Sequence, residues 1–185
     1  MMPFITTAGA PNRAVGIGAF SVHESVAGSY ASRVVRFLSG DGDTPLSWAY
    51  PPSSYSTPLM EAAGLAARSP GEDAGTESEV LEACQVALDL GADINAVDNN
   101  GETAMHGAAY KNLPKVVKFL AAKGAKIDIW NQPDKFGWTP LAIAVGYRFG
   151  NFKPSPDTEA AIRDVMIAAH VTPPAVVKAT TQQIY

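Results

Sequence analysis

The sequence predicts an all-α solenoid of about four stacked helix pairs, joined by short turn hairpins. The first observation is that residues 91–95 return, little changed, at residues 124–128, a spacing of 33. The second is a related helix start at Thr57, Thr103 and Thr139. The third is that each helix pair carries an apolar stripe that it cannot bury alone. A fixed period of this size is typical of stacked repeats.

Residues 98–130 form the most regular unit. Gly101 closes a polar turn and is expected to take a positive φ, and Thr103 then begins a short first helix. Pro114 suits the first turn of the second helix, and Gly124 ends that helix as a left-handed cap. The apolar stripe of the second helix comprises Val116, Val117, Phe119 and Leu120.

The flanking units, residues 49–97 and 131–170, fit the same plan with insertions between their two helices. In the first, a loop near residues 67–75 ends at Thr76 and Glu79, a capping-box pair that predicts an outer helix over about residues 77–90. In the second, the loop covers residues 147–154, after which Ser155 caps a helix reaching about His170. The turn at residues 131–133 is three residues longer than its counterpart.

The two ends of the chain are read as parts of the same single domain, residues 1–185. Residues 21–48 are predicted to form a degenerate first repeat, because residues 34–38 match residues 116–120 and Gly42 falls where Gly124 does. In the tail, residues 171–185, Pro173 and Pro174 are expected to stop the last helix. Apolar tail residues could then cover the end of the stack.

The segments beginning at Thr57, Thr103 and Thr139 resemble the Thr-Pro-Leu-His-x-Ala signature of ankyrin repeats, and the resemblance covers residues 57–145. It implies a non-catalytic module that binds another protein. It also implies that His106 hydrogen-bonds backbone rather than acting as a catalyst. An alternative is the regulatory ankyrin portion, or subunit, of an enzyme or redox system whose catalytic part lies elsewhere.

The resemblance further implies which residues contact a partner, since ankyrin repeats bind through hairpin tips and the concave face of their first helices. The tip residues are Asp98, Asn99, Asn100, Gln132, Lys135 and Phe136. The concave-face residues are Glu102, Tyr110, Lys111 and Trp138. Either Trp130 or Trp138 could instead cover the apolar edge of the stack.

The two inter-helix loops allow several interpretations. They could pack on each other and on the short turn at residues 112–114, or the first could be disordered. The second loop could also bind a partner, because rigidly held loops often carry recognition and aromatic and arginine side chains are frequent binding hot spots. The candidate residues are Tyr147, Arg148, Phe149 and Phe152. A small-molecule pocket lined by the three rings is a further possibility.

Composition is that of an ordinary globular protein, with 46% apolar and 17% charged residues. No apolar run approaches membrane-spanning length and no secretory signal is recognised, so a cytoplasmic monomer that does not enter membranes is expected. The lone Cys84 excludes an internal disulfide. It lies on an apolar helix stripe, which favours a buried, inert thiol.

Charge is unevenly distributed: residues 49–97 carry −7 and residues 98–130 carry +2. Two interpretations stay open, a solvated surface with some pairing between repeats, or an acidic docking face that steers a basic partner. Nucleic acid is not an expected partner, because no basic cluster with interleaved aromatics is present. The three histidines lack metal-ligand spacing and no catalytic or nucleotide motif occurs, so no metal, cofactor or catalytic residue is predicted.

Overall fold

The computed structural model describes residues 56–65, 75–148 and 154–175. The predicted N-terminal repeat, most of the first inter-helix loop, Phe149, Phe152 and the end of the tail lie outside these residues. The described helices are α1 (Pro58–Met60), π1 (Glu61–Leu65, a wider continuation of α1 that is kinked at Gly64, where φ is +114°), α2 (Glu77–Asp89), α3 (Ala104–Tyr110), α4 (Pro114–Ala122), α5 (Ile127–Trp130), α6 (Pro140–Ala144) and α7 (Pro156–Ala168).

The helices form two layers. In the inner layer, α3 packs between π1 on one side and α6 on the other. In the outer layer, α4 packs between α2 and α7, and each outer helix also contacts the inner helix of its own repeat. The part of the chain that the structure describes contains no strand. The predicted all-α repeat architecture is therefore confirmed.

Local sequence signals set the helix starts. The amide of Thr76 donates to Glu79 Oε2 at 2.7 Å, while the amide of Glu79 donates to Thr76 Oγ1 at 3.3 Å, so the predicted capping box begins α2. Ser155 caps α7 by accepting the amide of Thr158 at 3.3 Å. Thr139 caps α6 in the same way through the amide of Ala142 at 3.2 Å.

The core lies between the two layers. Met105, Leu120, Leu141 and Ile162 are at most 1% exposed, so the apolar stripes of successive helix pairs are buried against one another as predicted. Gly107 lies at the tightest inner contact. A Cβ there would come within 3.0 Å of the Leu65 amide nitrogen and 3.1 Å of the Ala63 carbonyl oxygen. A glycine at this position is what lets α3 approach π1.

Cys84 is part of this core. The residue is 0% exposed, and burial raises the pKa of its thiol to about 12. The prediction of a buried thiol is confirmed, and at neutral pH the group stays in the protonated, weakly nucleophilic form.

The segment leading into the longer turn contains an element that the sequence did not predict. The chain makes one helical turn, α5, immediately before the three extra residues. The amides of Ile129 and Trp130 both donate to the Lys126 carbonyl, at 3.1 and 3.0 Å. Trp130 ends this turn and is only 2% exposed, so this tryptophan is a core residue.

Charged side chains connect the outer helices across repeat boundaries. Lys115 on α4 reaches Glu77 on α2, with Nζ and Oε2 3.8 Å apart, and its amide donates to Glu77 Oε1 at 2.6 Å. Lys118 on α4 pairs with Asp164 on α7 at 3.3 Å. Both lysines and Asp164 are exposed and Glu77 is half-buried, so the pairs are screened by solvent and contribute little stability. They match the interpretation of the charge pattern as a solvated surface with pairing between repeats.

Within the described ranges, no helix combines the length and apolar character that crossing a membrane would require.

Candidate protein-binding surface

Two hairpin turns lead into α3 and α6, and the first of them, hairpin 1 (residues 98–102), is organised by a buried carboxylate. Asp98 Oδ1 accepts the amides of Asn100 and Glu102, each at 2.8 Å. The amide of Asp98 donates to the Glu102 carbonyl at 2.9 Å, and that of Gly101 donates to the Asp98 carbonyl at 3.0 Å. Gly101 has φ +79°, as predicted.

Hairpin 2 (residues 134–138) repeats this bonding. Asp134 Oδ1 accepts the amides of Phe136 and Trp138, at 2.8 and 2.9 Å. The amide of Asp134 donates to the Trp138 carbonyl at 3.0 Å, and that of Gly137, with φ +83°, donates to the Asp134 carbonyl at 2.9 Å. The two turns therefore have the same backbone, held by an aspartate and a glycine at the same spacing.

The remaining side chains of the two hairpins differ. In hairpin 1 the Asn100 amide group donates to Glu102 Oε2 at 3.1 Å, and both residues are buried, at 7% and 0% exposure. In hairpin 2 the corresponding residues are Phe136 and Trp138. Phe136 is 38% exposed, Trp138 is half-buried, and their ring centroids lie 5.4 Å apart at an interplanar angle of 35°. Hairpin 2 thus presents aromatic surface where hairpin 1 encloses polar groups.

The two hairpins are bonded to each other. The amide of Lys135 donates to the Asn100 carbonyl at 2.7 Å, and Lys135 Nζ donates to Asn100 Oδ1. The same ammonium lies over the Phe136 ring, 4.9 Å from its centroid. Lys135 is exposed but positioned, because both its backbone and its ammonium group are held by neighbours.

The end of α3 completes this region. The Tyr110 hydroxyl donates to Asp134 Oδ2 at 3.4 Å, which joins α3 to hairpin 2. Tyr110 and the following Lys111 are half-buried. We use the term hairpin-2 surface for Tyr110, Lys135, Phe136 and Trp138.

Arg148 was predicted to be part of a binding patch on the second inter-helix loop, but the structure places it in a buried position. Its guanidinium Nη2 donates to the carbonyls of Ala109 and Tyr110, at 3.3 and 2.6 Å, and to Asn112 Oδ1 at 3.0 Å. The residue is 9% exposed, and this burial lowers its pKa, an effect that the neighbouring Tyr110 opposes. Arg148 therefore holds the C-terminal end of α3, where a cation is favourable, and is not a free binding side chain.

Three further residues that were predicted to contact a partner are also buried. Asp98, Asn100 and Glu102 are buried and hydrogen-bonded to neighbouring groups, so they do not form an exposed tip. The reason is that a polar turn in a stack is covered by the next hairpin. Of the other predicted contact residues that the structure describes, four are exposed and four are half-buried. The exposed residues are Asn99, Gln132, Lys135 and Phe136, and the half-buried residues are Tyr110, Lys111, Trp138 and Tyr147.

His106 has the structural role that the resemblance implies. It is fully buried, and its Nδ1 accepts the Thr103 amide at 3.1 Å, which fixes the start of α3. In the preceding repeat a sulfur takes this position, since Met60 Sδ accepts the Thr57 amide at 3.3 Å. Over the residues with described coordinates, no group of three or more His, Cys, Asp or Glu side chains could hold a metal ion.

Comparisons with known proteins agree with this geometry. A family model described as ankyrin repeats, in three copies, matches residues 74–153. Ankyrin repeat protein FPV219 of fowlpox virus (strain NVSL) is 46% identical over 50 residues, which are 27% of this chain and 12% of that protein. Protein PhlB of Serratia liquefaciens is 38% identical over 68 residues, 37% of this chain and 29% of its own length. The chain thus spans less than a third of either relative.

Proposed function

Because residues 74–153 match the ankyrin-repeat family model, and ankyrin repeats generally mediate protein–protein interactions, we propose that this chain binds another protein through its hairpin-2 surface. In this proposal the chain contributes shape and exposed side chains, and no reaction takes place on the described residues. Half-buried Lys111 and exposed Asn99 flank the surface and extend the contact area.

The observation that carries the proposal is that hairpin 2 has aromatic residues at two positions where hairpin 1, with the same backbone, has polar residues. Hairpin 1 forms the same backbone with Asn100 and Glu102 buried, so the turn itself does not require Phe136 or Trp138. Burying a fully exposed phenylalanine side chain is worth about 1.5–3 kcal/mol. Phe136 is 38% exposed, so burial against a partner would recover the corresponding part of that free energy. Aromatic residues are also among the side chains most enriched at binding hot spots.

The position of the surface supports the same conclusion. Hairpin 2 is anchored to hairpin 1 through Lys135 and Asn100, and to α3 through Tyr110. Binding to such a framework requires little ordering of the chain, which lowers the entropic cost of association.

Affinity capture with a matched pair of variants tests the proposal. Phe136→Ser removes an exposed ring from hairpin 2, and Ile167→Ser removes a 61% exposed side chain from the outer helix α7. Both remove surface hydrophobicity, so a difference between them reports on location. Circular dichroism and thermal unfolding of each variant establish that both are folded.

The proposal expects a protein that the unchanged chain and Ile167→Ser retain and that Phe136→Ser loses. If all three chains retain the same proteins, hairpin 2 is not the docking surface. Loss with Ile167→Ser alone would move the interface to the outer helices.

A further inference from the structure

The charge at the hairpin-2 surface carries an inference about the partner, which rests on the proposed function. We infer that the hairpin-2 surface binds an acidic segment of its partner, in which a carboxylate lies beside an apolar side chain. The carboxylate would accept from Lys135 Nζ while the apolar side chain contacts Phe136 and Trp138.

Lys135 is the cation that this inference requires. An ammonium group has three donors, and one is used on Asn100 Oδ1. The neighbours that the structure gives this ammonium, an amide oxygen and the Phe136 ring, carry no net charge. Lys115, Lys118 and Arg163 form ion pairs with carboxylates, whereas no ion pair of Lys135 is seen in the part of the chain that the structure describes. Lys135 therefore keeps both charge and donors for a partner.

The three carboxylates of the two hairpins are buried. Asp98 and Asp134 are 6% and 5% exposed, and each accepts two backbone amides through one oxygen. Glu102 is 0% exposed and accepts from Asn100. Because these carboxylates are buried, a partner meets the exposed Lys135 ammonium at this surface and not their oxygens.

Distances set the form of the partner segment. The Lys135 ammonium is 4.9 Å from the Phe136 ring centroid, and that centroid is 5.4 Å from the Trp138 ring centroid. The cation and the two rings are close enough together for neighbouring side chains of one short segment to reach them. Because Lys135 is already positioned, forming the new ion pair requires little additional loss of side-chain freedom.

The structure also supplies a matched control. Lys123 is another exposed lysine over a phenylalanine, with Nζ 5.4 Å from the Phe119 ring centroid. It follows helix α4 in the outer layer, away from the hairpins. Lys123→Glu changes the net charge of the chain by the same amount as Lys135→Glu, so only a local effect separates the two variants.

The test is selection of random linear peptides displayed on phage against the full chain, with counter-selection on Phe136→Ser. The inference expects recovered peptides that combine Asp or Glu with an adjacent aliphatic or aromatic residue. Synthetic copies should bind Lys135→Glu about ten-fold or more weakly, and Lys123→Glu within about two-fold of the unchanged chain. Raising salt from about 50 mM to about 500 mM should weaken binding to the unchanged chain but affect Lys135→Gln less.

Each other outcome overturns the inference. Recovery of uncharged or basic peptides that still depend on Phe136 would reject the acidic partner and leave the proposed docking surface in place. If Lys135→Glu and Lys123→Glu weakened peptide binding equally, the weakening would come from the net charge of the chain and not from contact with Lys135. Recovery of no Phe136-dependent peptide would show that a short acidic segment is not what binds, while affinity capture would still test the proposed function separately.

Discussion

Hairpin 1 and hairpin 2 share a backbone and differ in what they expose. In each, an aspartate accepts two amides through one oxygen and a glycine with positive φ closes the turn. In hairpin 1 the side chains of Asn100 and Glu102 are buried. Hairpin 2 places Phe136 at the surface beside Trp138. The comparison separates residues that build the repeat from residues that are available to a partner.

We expect the largest losses of stability when the aspartate that organises each hairpin is removed. Asp98→Ala and Asp134→Ala should each lower the free energy of unfolding by about 3 kcal/mol, because each leaves two backbone amides without their acceptor. Urea unfolding measures both, and the two values should agree within about 1 kcal/mol. Asp128→Ala is the control: because this carboxylate is exposed, its removal should lower the free energy of unfolding by less than about 0.5 kcal/mol. A large effect at only one aspartate would break the equivalence of the hairpins.

The framework that carries both hairpins is tested at Arg148. Arg148→Met keeps the length of the buried side chain but removes its bonds to Ala109, Tyr110 and Asn112. We expect a loss of about 2–3 kcal/mol in unfolding free energy, since the end of α3 loses charged donors. Arg148→Lys should recover only part of it, because an ammonium lacks the planar fork. Unchanged stability in both variants would mean that Arg148 is dispensable to the fold.

Exchanging residues between the hairpins tests their difference. Asn100→Phe should destabilise by about 1–2 kcal/mol, because the ring cannot fit the buried polar site and the Lys135 contact is lost. Phe136→Asn should change stability by less than about 0.5 kcal/mol, since the residue is exposed and the turn already forms with asparagine at this position. Thermal unfolding distinguishes the two. Equal destabilisation would mean that Phe136 supports the fold.

The smallest expected effect is the coupling between the hairpins. A double-mutant cycle with Lys135→Met and Asn100→Ala should give an interaction energy of about 0.5 kcal/mol, because the contact is partly solvated. The backbone bond between the same two residues survives both substitutions and limits the loss. A coupling near zero would show that the Lys135 side chain is not held by Asn100.

The fold could be predicted wherever the controlling contacts are local. The capping pairs at Thr76 and Ser155 and the glycine at Gly101 act within a few residues, so the sequence indicates them directly. The helix α5 was missed because four residues before a longer turn can be read equally well as loop. Whether residues 127–130 form a helical turn depends on Trp130 reaching the core, which is a tertiary contact.

The candidate site was harder to predict, because burial in a stack is decided by residues in the next repeat. A polar turn such as hairpin 1 has the composition of an exposed loop, yet Lys135 of hairpin 2 covers Asn100. The matched Asp-x-x-Gly spacing in both turns was a usable signal that Asp98 is structural. Arg148 offered no such signal, since its bonds reach residues 36 to 39 positions earlier.

The most direct test converts hairpin 2 into hairpin 1 and measures partner affinity. The partner retained in affinity capture is titrated by calorimetry against the unchanged chain, against Phe136→Asn/Trp138→Glu, and against Ile167→Asn as control. Because Trp138 also packs against the core, circular dichroism first establishes that the converted chain is folded. Loss of two aromatic contacts should then weaken binding at least about ten-fold, while the control binds as the unchanged chain does. Full affinity in the converted hairpin would contradict the assignment of hairpin 2 as the docking surface.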